Sequence, residues 1–191
     1  GNLVEDCRKR GAEKLNSRDV TSAFIAETGL PEFMVNDAIR LDIEKTKSFF
    51  TERVLGQGEA TELVVDVLAA AKTAMGRPKK PLATLLFVGP TGVGKTELAK
   101  VLAEFLFGSR DRMTRFDMSE YATPLDIARL TGDDKASGDG LLTSSVREHP
   151  FSVVLFDEVE KAHFQFFDML LQILGEARLT DGAGRVADFS S

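Results

Sequence analysis

Residues Leu82–Leu106 read LATLLFVGPTGVGKTELAKVLAEFL, and this stretch decides the fold. Thr84–Val88 is a short apolar run without helical period, which predicts a strand buried on both faces. Gly89, Gly92 and Gly94 interrupt it. From Lys95 onward Leu98, Val101, Leu102, Phe105 and Leu106 recur at the spacing of one helix face. The glycines therefore form a turn between a strand and a helix.

Gly89–Thr96 fits the pattern G-x-x-x-x-G-K-[ST]. Glycines at these positions let the backbone curl so that successive N–H groups face phosphate oxygens, and the following helix aims its positive end at the same point. In such a loop Lys95 supplies a charge for the β- and γ-phosphates and Thr96 a hydroxyl for Mg²⁺. The motif thus indicates a nucleoside triphosphate as ligand.

The chain of 191 residues is long enough for one sizeable core and an appendage. Its 43% hydrophobic and 28% charged content is that of an ordinary globular protein. No apolar run approaches the roughly 20 residues of a membrane span, and the first residues do not resemble a signal peptide, which points to the cytoplasm. The one cysteine, Cys7, cannot form an internal disulfide and agrees with a reducing setting. A net charge of −6 argues against a broad nucleic-acid footprint. Arg77, Lys79 and Lys80 form a local basic cluster or a solvated linker.

Helices are expected from about Ser17 to Gly29, from about Glu32 to Glu52, and from Ala60 to Ala71, the last with Ala60, Leu63, Val64, Val67, Leu68 and Ala71 on its apolar face. Met113–Asp117 reads as a second strand. Thr123-Pro124-Leu125-Asp126 reads as a helix start, with a capping residue, a proline and an early acid. Thr131–Gly140, TGDDKASGDG, reads as a mobile polar loop, Leu141–Glu148 as helix, Ser152–Phe156 as a third buried strand, and Phe166–Leu174 as helix. Arg178–Phe189 around Asp181-Gly182-Ala183-Gly184 reads as a β-hairpin. Alternating strands and helices imply a parallel α/β sheet flanked by helices. Residues 1–31 are expected to form a leading helical junction and residues 32–191 a nucleotide-binding subdomain.

Asp157-Glu158 ends the strand Ser152–Phe156, in the crevice where α/β sheets bind ligands. These two residues fit the roles of Mg²⁺ partner (Asp157) and base for the attacking water (Glu158). An acidic helix start is the structural alternative. His149 and His163 are too far from other ligands in sequence to suggest a metal centre.

Taken together, these motifs resemble AAA+ ATPases of the Clp type, in particular the second ATPase module of ClpB- and ClpV-like unfoldases. The likeness is carried by RVLGQGEA (Arg53–Ala60), FVGPTGVGKTELAK (Phe87–Lys100), FDMSEY (Phe116–Tyr121), SVVLFDEVEKAH (Ser152–His163) and LLQILGEARLTDGAGRVADF (Leu170–Phe189). SRDVTSAFIAETGLP (Ser17–Pro31) looks like the junction between the two modules of that family. The resemblance implies a P-loop (AAA+) fold, a homo-hexameric ring, ATP hydrolysis with Mg²⁺, and protein substrates or adaptors as partners. It puts adenine against Val54 and Leu55, whose backbone would read the base edge. Nucleotide contacts would run along Gly89, Pro90, Thr91, Gly92, Val93, Gly94, Lys95, Thr96 and Glu97, with Thr96 and Asp157 on the metal and Lys95 and Glu158 catalytic.

Two departures matter. The family's substrate-gripping loop carries an aromatic between glycines, whereas Thr131–Gly140 has none. The segment is also expected to end before the family's sensor asparagine, arginine finger and helical lid. The sensor strand would lie between the strands at Thr84–Val88 and Ser152–Phe156, so both are expected to have an unpaired edge and this segment alone to bind nucleotide weakly and hydrolyse it negligibly. Three functional readings stay open: an ATP-driven protein remodeller, a nucleotide-switched assembly module without threading, and a DNA remodeller, which the acidic balance disfavours.

Overall fold

The computed structural model describes residues 16–74, 80–90, 92–133 and 138–190. Cys7, Arg77, Lys79 and Thr91, singled out above, lie outside them. Helix α1 (Ser17–Thr28) starts at a reciprocal cap, with the Asp19 N–H donating to the Asn16 side chain at 2.9 Å and the Asn16 N–H to the Asp19 carboxylate at 3.1 Å. Gly29 ends it in the left-handed conformation. Phe24 of α1 meets Phe151 edge to face at 5.7 Å, which fastens this helix to the body.

The long helix expected over residues 32–52 is divided into α2 (Glu32–Val35) and α3 (Ile43–Arg53). Local polar chemistry divides it. The Asn36 side chain accepts from the Ala38 N–H at 3.0 Å, and Asp42 caps α3 by accepting from the Lys45 N–H at 3.1 Å. Lys72 donates to the carbonyls of Phe33 and Asn36. Ile43 is exposed at the start of α3, whereas Phe50 and Val54 are buried.

Helix α4 (Gly58–Ala74) forms where its period predicts, but its buried face carries Thr61, Val64, Val65, Leu68 and Ala71. Leu63 points to solvent. A stripe read from apolar residues alone misses Thr61 because a hydroxyl looks like a surface group. Helix α5 (Lys95–Phe107) buries Leu98, Ala99, Val101 and Ala103, and Leu98 and Val101 join the cluster formed with α3 and α4. Phe49, Phe50 and Phe105 meet at ring distances of 5.3–5.7 Å, and Leu85 and Phe87 close the same cluster.

Strand β1 (Met113–Asp117) is followed by α6 (Pro124–Thr131), whose cap Thr123 and third residue Asp126 bond reciprocally. The short strands β2 (Gly132–Asp133) and β3 (Gly138–Asp139) pair antiparallel at the base of the polar loop, so its base is ordered; its centre lies outside the described residues. Helix α7 (Leu141–Glu148), strand β4 (Val153–Asp157), helix α8 (Gln165–Glu176) and the hairpin β5 (Arg178–Thr180) with β6 (Val186–Asp188) complete the order. A second apolar cluster joins β1, β4, α6, α7, α8 and the hairpin around Phe116, Leu130, Leu142, Phe166 and Ile173.

β1 and β4 pair in parallel, with Asp117 beside Asp157. Thr84–Val88 does not form the doubly buried strand expected. It belongs to no ladder among the described residues; Leu85 and Phe87 pack on the first cluster, while Leu86 and Val88 are 76% and 87% exposed. Strand structure is a property of pairing, and neither β4 nor the hairpin pairs with this segment. For the same reason each residue of β4 is half-buried, not enclosed on both faces.

Asp181 holds the hairpin turn. Its carboxylate accepts from the Arg185 N–H (2.8 Å), the Arg185 Nε (2.9 Å) and the Arg147 Nη1 (3.0 Å), and its side chain is 1% exposed. Burial pushes its pKa up, but the Arg185 N–H and the two guanidinium groups outweigh that and leave it below the ordinary carboxylate value. A folded-state pKa below the unfolded one stabilises the fold at neutral pH, and this contribution is lost as pH falls below about 4. The urea-midpoint gap between wild type and Asp181→Asn is therefore expected to be widest near neutrality and to shrink below about pH 4. A gap that stays constant in urea melts across that range would count against the linkage.

Candidate nucleotide site

The phosphate loop crosses from the extended segment ending at Val88 to the first turn of α5. Gly92 and Gly94 have φ of 85° and 100°, conformations that side chains with a Cβ resist. Gly94 is the residue before Lys95, so the free N–H groups of the first turn of α5 open toward the loop. Lys95 Nζ reaches back across it, donating to the carbonyls of Gly89 at 2.7 Å and Pro90 at 2.8 Å. Val54, buried at the end of α3, lies alongside: a Cβ placed on Gly94 would sit 3.8 Å from Val54 Cγ1.

The acidic strand meets this loop. Thr96 Oγ1 donates to Asp157 Oδ2 at 3.1 Å, and the same oxygen receives Arg115 Nη2 at 2.9 Å. The Glu158 N–H donates to Asp157 Oδ1 at 3.2 Å. Glu158 itself is left-handed, with φ 54° and ψ 42°, and its carboxylate is paired with Lys161 Nζ at 2.5 Å. That pairing raises the Lys161 pKa. Asp117, beside Asp157 in register, accepts from the hydroxyl and the N–H of Ser119, which hold its pKa below the ordinary value.

Val54, Gly94, Lys95, Thr96, Asp157 and Glu158 are thus brought to one place, with Gly89, Pro90, Gly92 and Val93 in the loop between them. The side chains of two further expected site residues lie outside this cluster, while the contact expected of Leu55 is one made by its backbone. Leu55 is 82% exposed beyond the end of α3, and Glu97 is paired with Arg110 at 2.6 Å. Arg110 also binds Glu104 at 2.7 Å, so its guanidinium holds the Glu97 side chain on that flank of α5. Sequence reasoning assigned no role to Arg115, Asp117 or Lys161. Asp117 carries a weaker form of the Asp157 signal, an acid ending a strand that is only partly apolar. Arg115 and Lys161 carried none until the register and the turn were known.

Thr96 and Asp157 offer a hydroxyl and a carboxylate within hydrogen-bond distance of each other, hard oxygen donors of the kind Mg²⁺ takes when phosphates and water complete its shell. No group of three or more acidic, histidine or cysteine side chains that could hold a metal by itself occurs among the described residues. The donor set fits a metal that arrives with phosphate.

A glycine loop opening a helix, a lysine across it and an acidic strand end beside it define an α/β P-loop nucleotide-binding module. The chain belongs to the family described as AAA domain (Cdc48 subfamily), whose model matches residues 80–191. It is similar to the chaperone protein ClpB of Vibrio vulnificus (strain YJ016), 42% identical over 180 residues covering 92% of this chain and 21% of that protein. ClpB of Mycobacterium leprae is 43% identical over 181 residues, covering 93% and 21%. ClpB of Dichelobacter nodosus is 44% identical over 185 residues, covering 92% and 22%. The chain spans about a fifth of the length of these curated relatives. These likenesses agree with the Clp-type AAA+ resemblance read from the motifs.

A left-handed backbone at a residue with a Cβ costs on the order of 1–2 kcal/mol, and the exposed Lys161 pair offsets little of it. Glu158→Gly is expected to raise stability by about 0.5–1 kcal/mol in urea unfolding, since glycine's chain entropy takes back part of the relief. A loss of stability would show that Glu158 is not strained.

Proposed function

We propose that this chain binds ATP with Mg²⁺ and hydrolyses it, as the ATPase module of a cytoplasmic, homo-hexameric Clp-type ring that remodels or unfolds protein substrates, directly or through adaptors. The observation that supports this most is the hydrogen bond from Thr96 to Asp157, which joins a phosphate loop to an acidic strand end. No helix among the described residues is long and apolar enough to cross a membrane.

In this reading the N–H groups of the loop and of the first turn of α5 take the phosphate oxygens, and Lys95 exchanges the carbonyls of Gly89 and Pro90 for the β- and γ-phosphates. Thr96 and Asp157 would hold Mg²⁺, which when bound neutralises charge on the transferring phosphoryl group. Glu158 accepts a proton from the attacking water. Lys161, at 2.5 Å, holds that carboxylate beside the turn that follows β4. Val54 offers an apolar wall beside Gly94 where a base could rest.

Calorimetry and a phosphate-release assay on two variants test the assignment together. Lys95→Ala is expected to weaken ATP binding by about tenfold or more, because a cation facing clustered phosphate charge is lost. Glu158→Gln is expected to keep ATP affinity while hydrolysis in the assembled protein falls by about a hundredfold or more, because an amide is a poor proton acceptor. Unchanged affinity in the first or near-normal turnover in the second would remove that residue from its role.

The non-aromatic loop favours a second reading, a nucleotide-switched assembly module that does not thread a polypeptide. Asp139 at the base of this loop is paired with Arg185 and lies 3.8 Å from Arg147, so it is engaged by its own chain. Hydrated acids and a lysine grip an apolar chain poorly. Photo-crosslinkers placed at residues 134 to 138 are expected to capture no unfolded substrate during ATP turnover. Efficient capture would favour threading.

A further inference from the structure

Arg115 stands on the face of β1 that carries Asp117, two residues away, and faces Leu155 in a register that sets Asp117 beside Asp157. Its guanidinium therefore reaches diagonally to the neighbouring strand end, a distance suited to a long side chain. Arg115 Nη2 lies 2.9 Å from Asp157 Oδ2 and 3.9 Å from Asp117 Oδ2. Asp157 Oδ2 is also the oxygen that accepts the Thr96 hydroxyl. The Asp157 side chain is 17% exposed, so the pair is only partly screened by water.

We propose that Arg115 is a positioning residue that sets the metal affinity of the site by competing with the divalent cation for the carboxylate of Asp157. The proposal rests on the nucleotide reading above. A dication held by Thr96 and Asp157 needs electron density from the oxygen that Arg115 already engages, and it meets a like charge on the guanidinium. Asp117 gives Arg115 a second acceptor, so the guanidinium has a place to turn toward when it yields Asp157. Ser119 keeps the Asp117 carboxylate bonded and aimed at that side through its hydroxyl at 2.6 Å and its N–H at 3.1 Å. The consequence is a site whose metal is held loosely until phosphate oxygens add to the coordination. A purely structural pair would change stability on removal without tightening the metal.

Mn²⁺ is the probe, its binding followed by electron paramagnetic resonance in the presence of a saturating non-hydrolysable ATP analogue. Arg115→Gln is expected to tighten Mn²⁺ by about threefold to fivefold, the upper range of a partly exposed ion pair. Arg115→Lys, which keeps the charge, is expected to stay within about twofold of wild type. Arg115→Met carries the same expectation as Arg115→Gln and replaces it if the glutamine variant does not fold. In an Asp157→Asn background the effect of Arg115→Gln is expected to shrink to within about twofold, since the contested carboxylate is gone. Unchanged or weaker Mn²⁺ binding in the charge-free variants overturns the proposal. If wild type binds both analogue and Mn²⁺ while Arg115→Gln matches it, only the role of Arg115 fails. If the wild-type assembled protein binds neither, the nucleotide reading fails and takes this one with it.

Discussion

The hydroxyl of Thr96 and the carboxylate of Asp157 are 61 positions apart in the chain and 3.1 Å apart in space. That one contact lies at the meeting of two apolar clusters. The first, built on Phe50, Val64 and Val101, carries the phosphate loop on the start of α5. The second, built on Phe116, Leu130 and Phe166, carries the acidic strand end on β4. Packing of α5 against β4 brings the two together, and the site exists only while that packing holds. Burying a large apolar side chain contributes roughly 1.5–3 kcal/mol. An exposed ion pair contributes at most about 1 kcal/mol. The geometry of the site is therefore set mainly by cores that take no part in its chemistry.

Each carboxylate of the site has its own local donor. Arg115 answers Asp157, Lys161 answers Glu158, and Ser119 answers Asp117. Three carboxylates crowded at the end of two parallel strands would repel one another, and each is given a donor of its own. The strain at Glu158 belongs to the same design. Its left-handed backbone turns the chain away from β4 immediately after Asp157, so adjacent acids leave the strand in different directions. Outside the site, Asp181 shows the same logic in a buried setting, where two arginines and a backbone N–H keep a carboxylate charged at the hairpin turn.

Much of this was legible in the linear chain. The loop Gly89–Thr96 announces itself because its chemistry is local: glycines, a lysine and a threonine at set spacing have few other uses. The starts of α1 and α6 were equally plain, since capping is a contact between residues three apart. The hairpin at Asp181–Gly184 followed from turn residues, and Asp157-Glu158 from an acid pair ending an apolar run. Where the structure departs from the sequence reading, distant partners or short-range polar bonds decided. Thr84–Val88 has strand composition but no ladder, because pairing comes from elsewhere in space. The helix expected over residues 32–52 was broken by side-chain bonds at Asn36 and Asp42 and tied by Lys72, which belongs to another helix.

What the sequence determined by itself is the chemistry on offer, a phosphate cradle and an acidic pair, because both depend on residue type at short spacing. What only the tertiary structure decided is which groups share an oxygen. Parallel register puts Asp117 beside Asp157 and lets Arg115 reach across, and no periodicity in either strand specifies that alignment. Packing also drew Glu97 to Arg110 and left Leu55 in solvent. Those outcomes depend on where long charged side chains find partners, and that depends on the packed positions of their backbones.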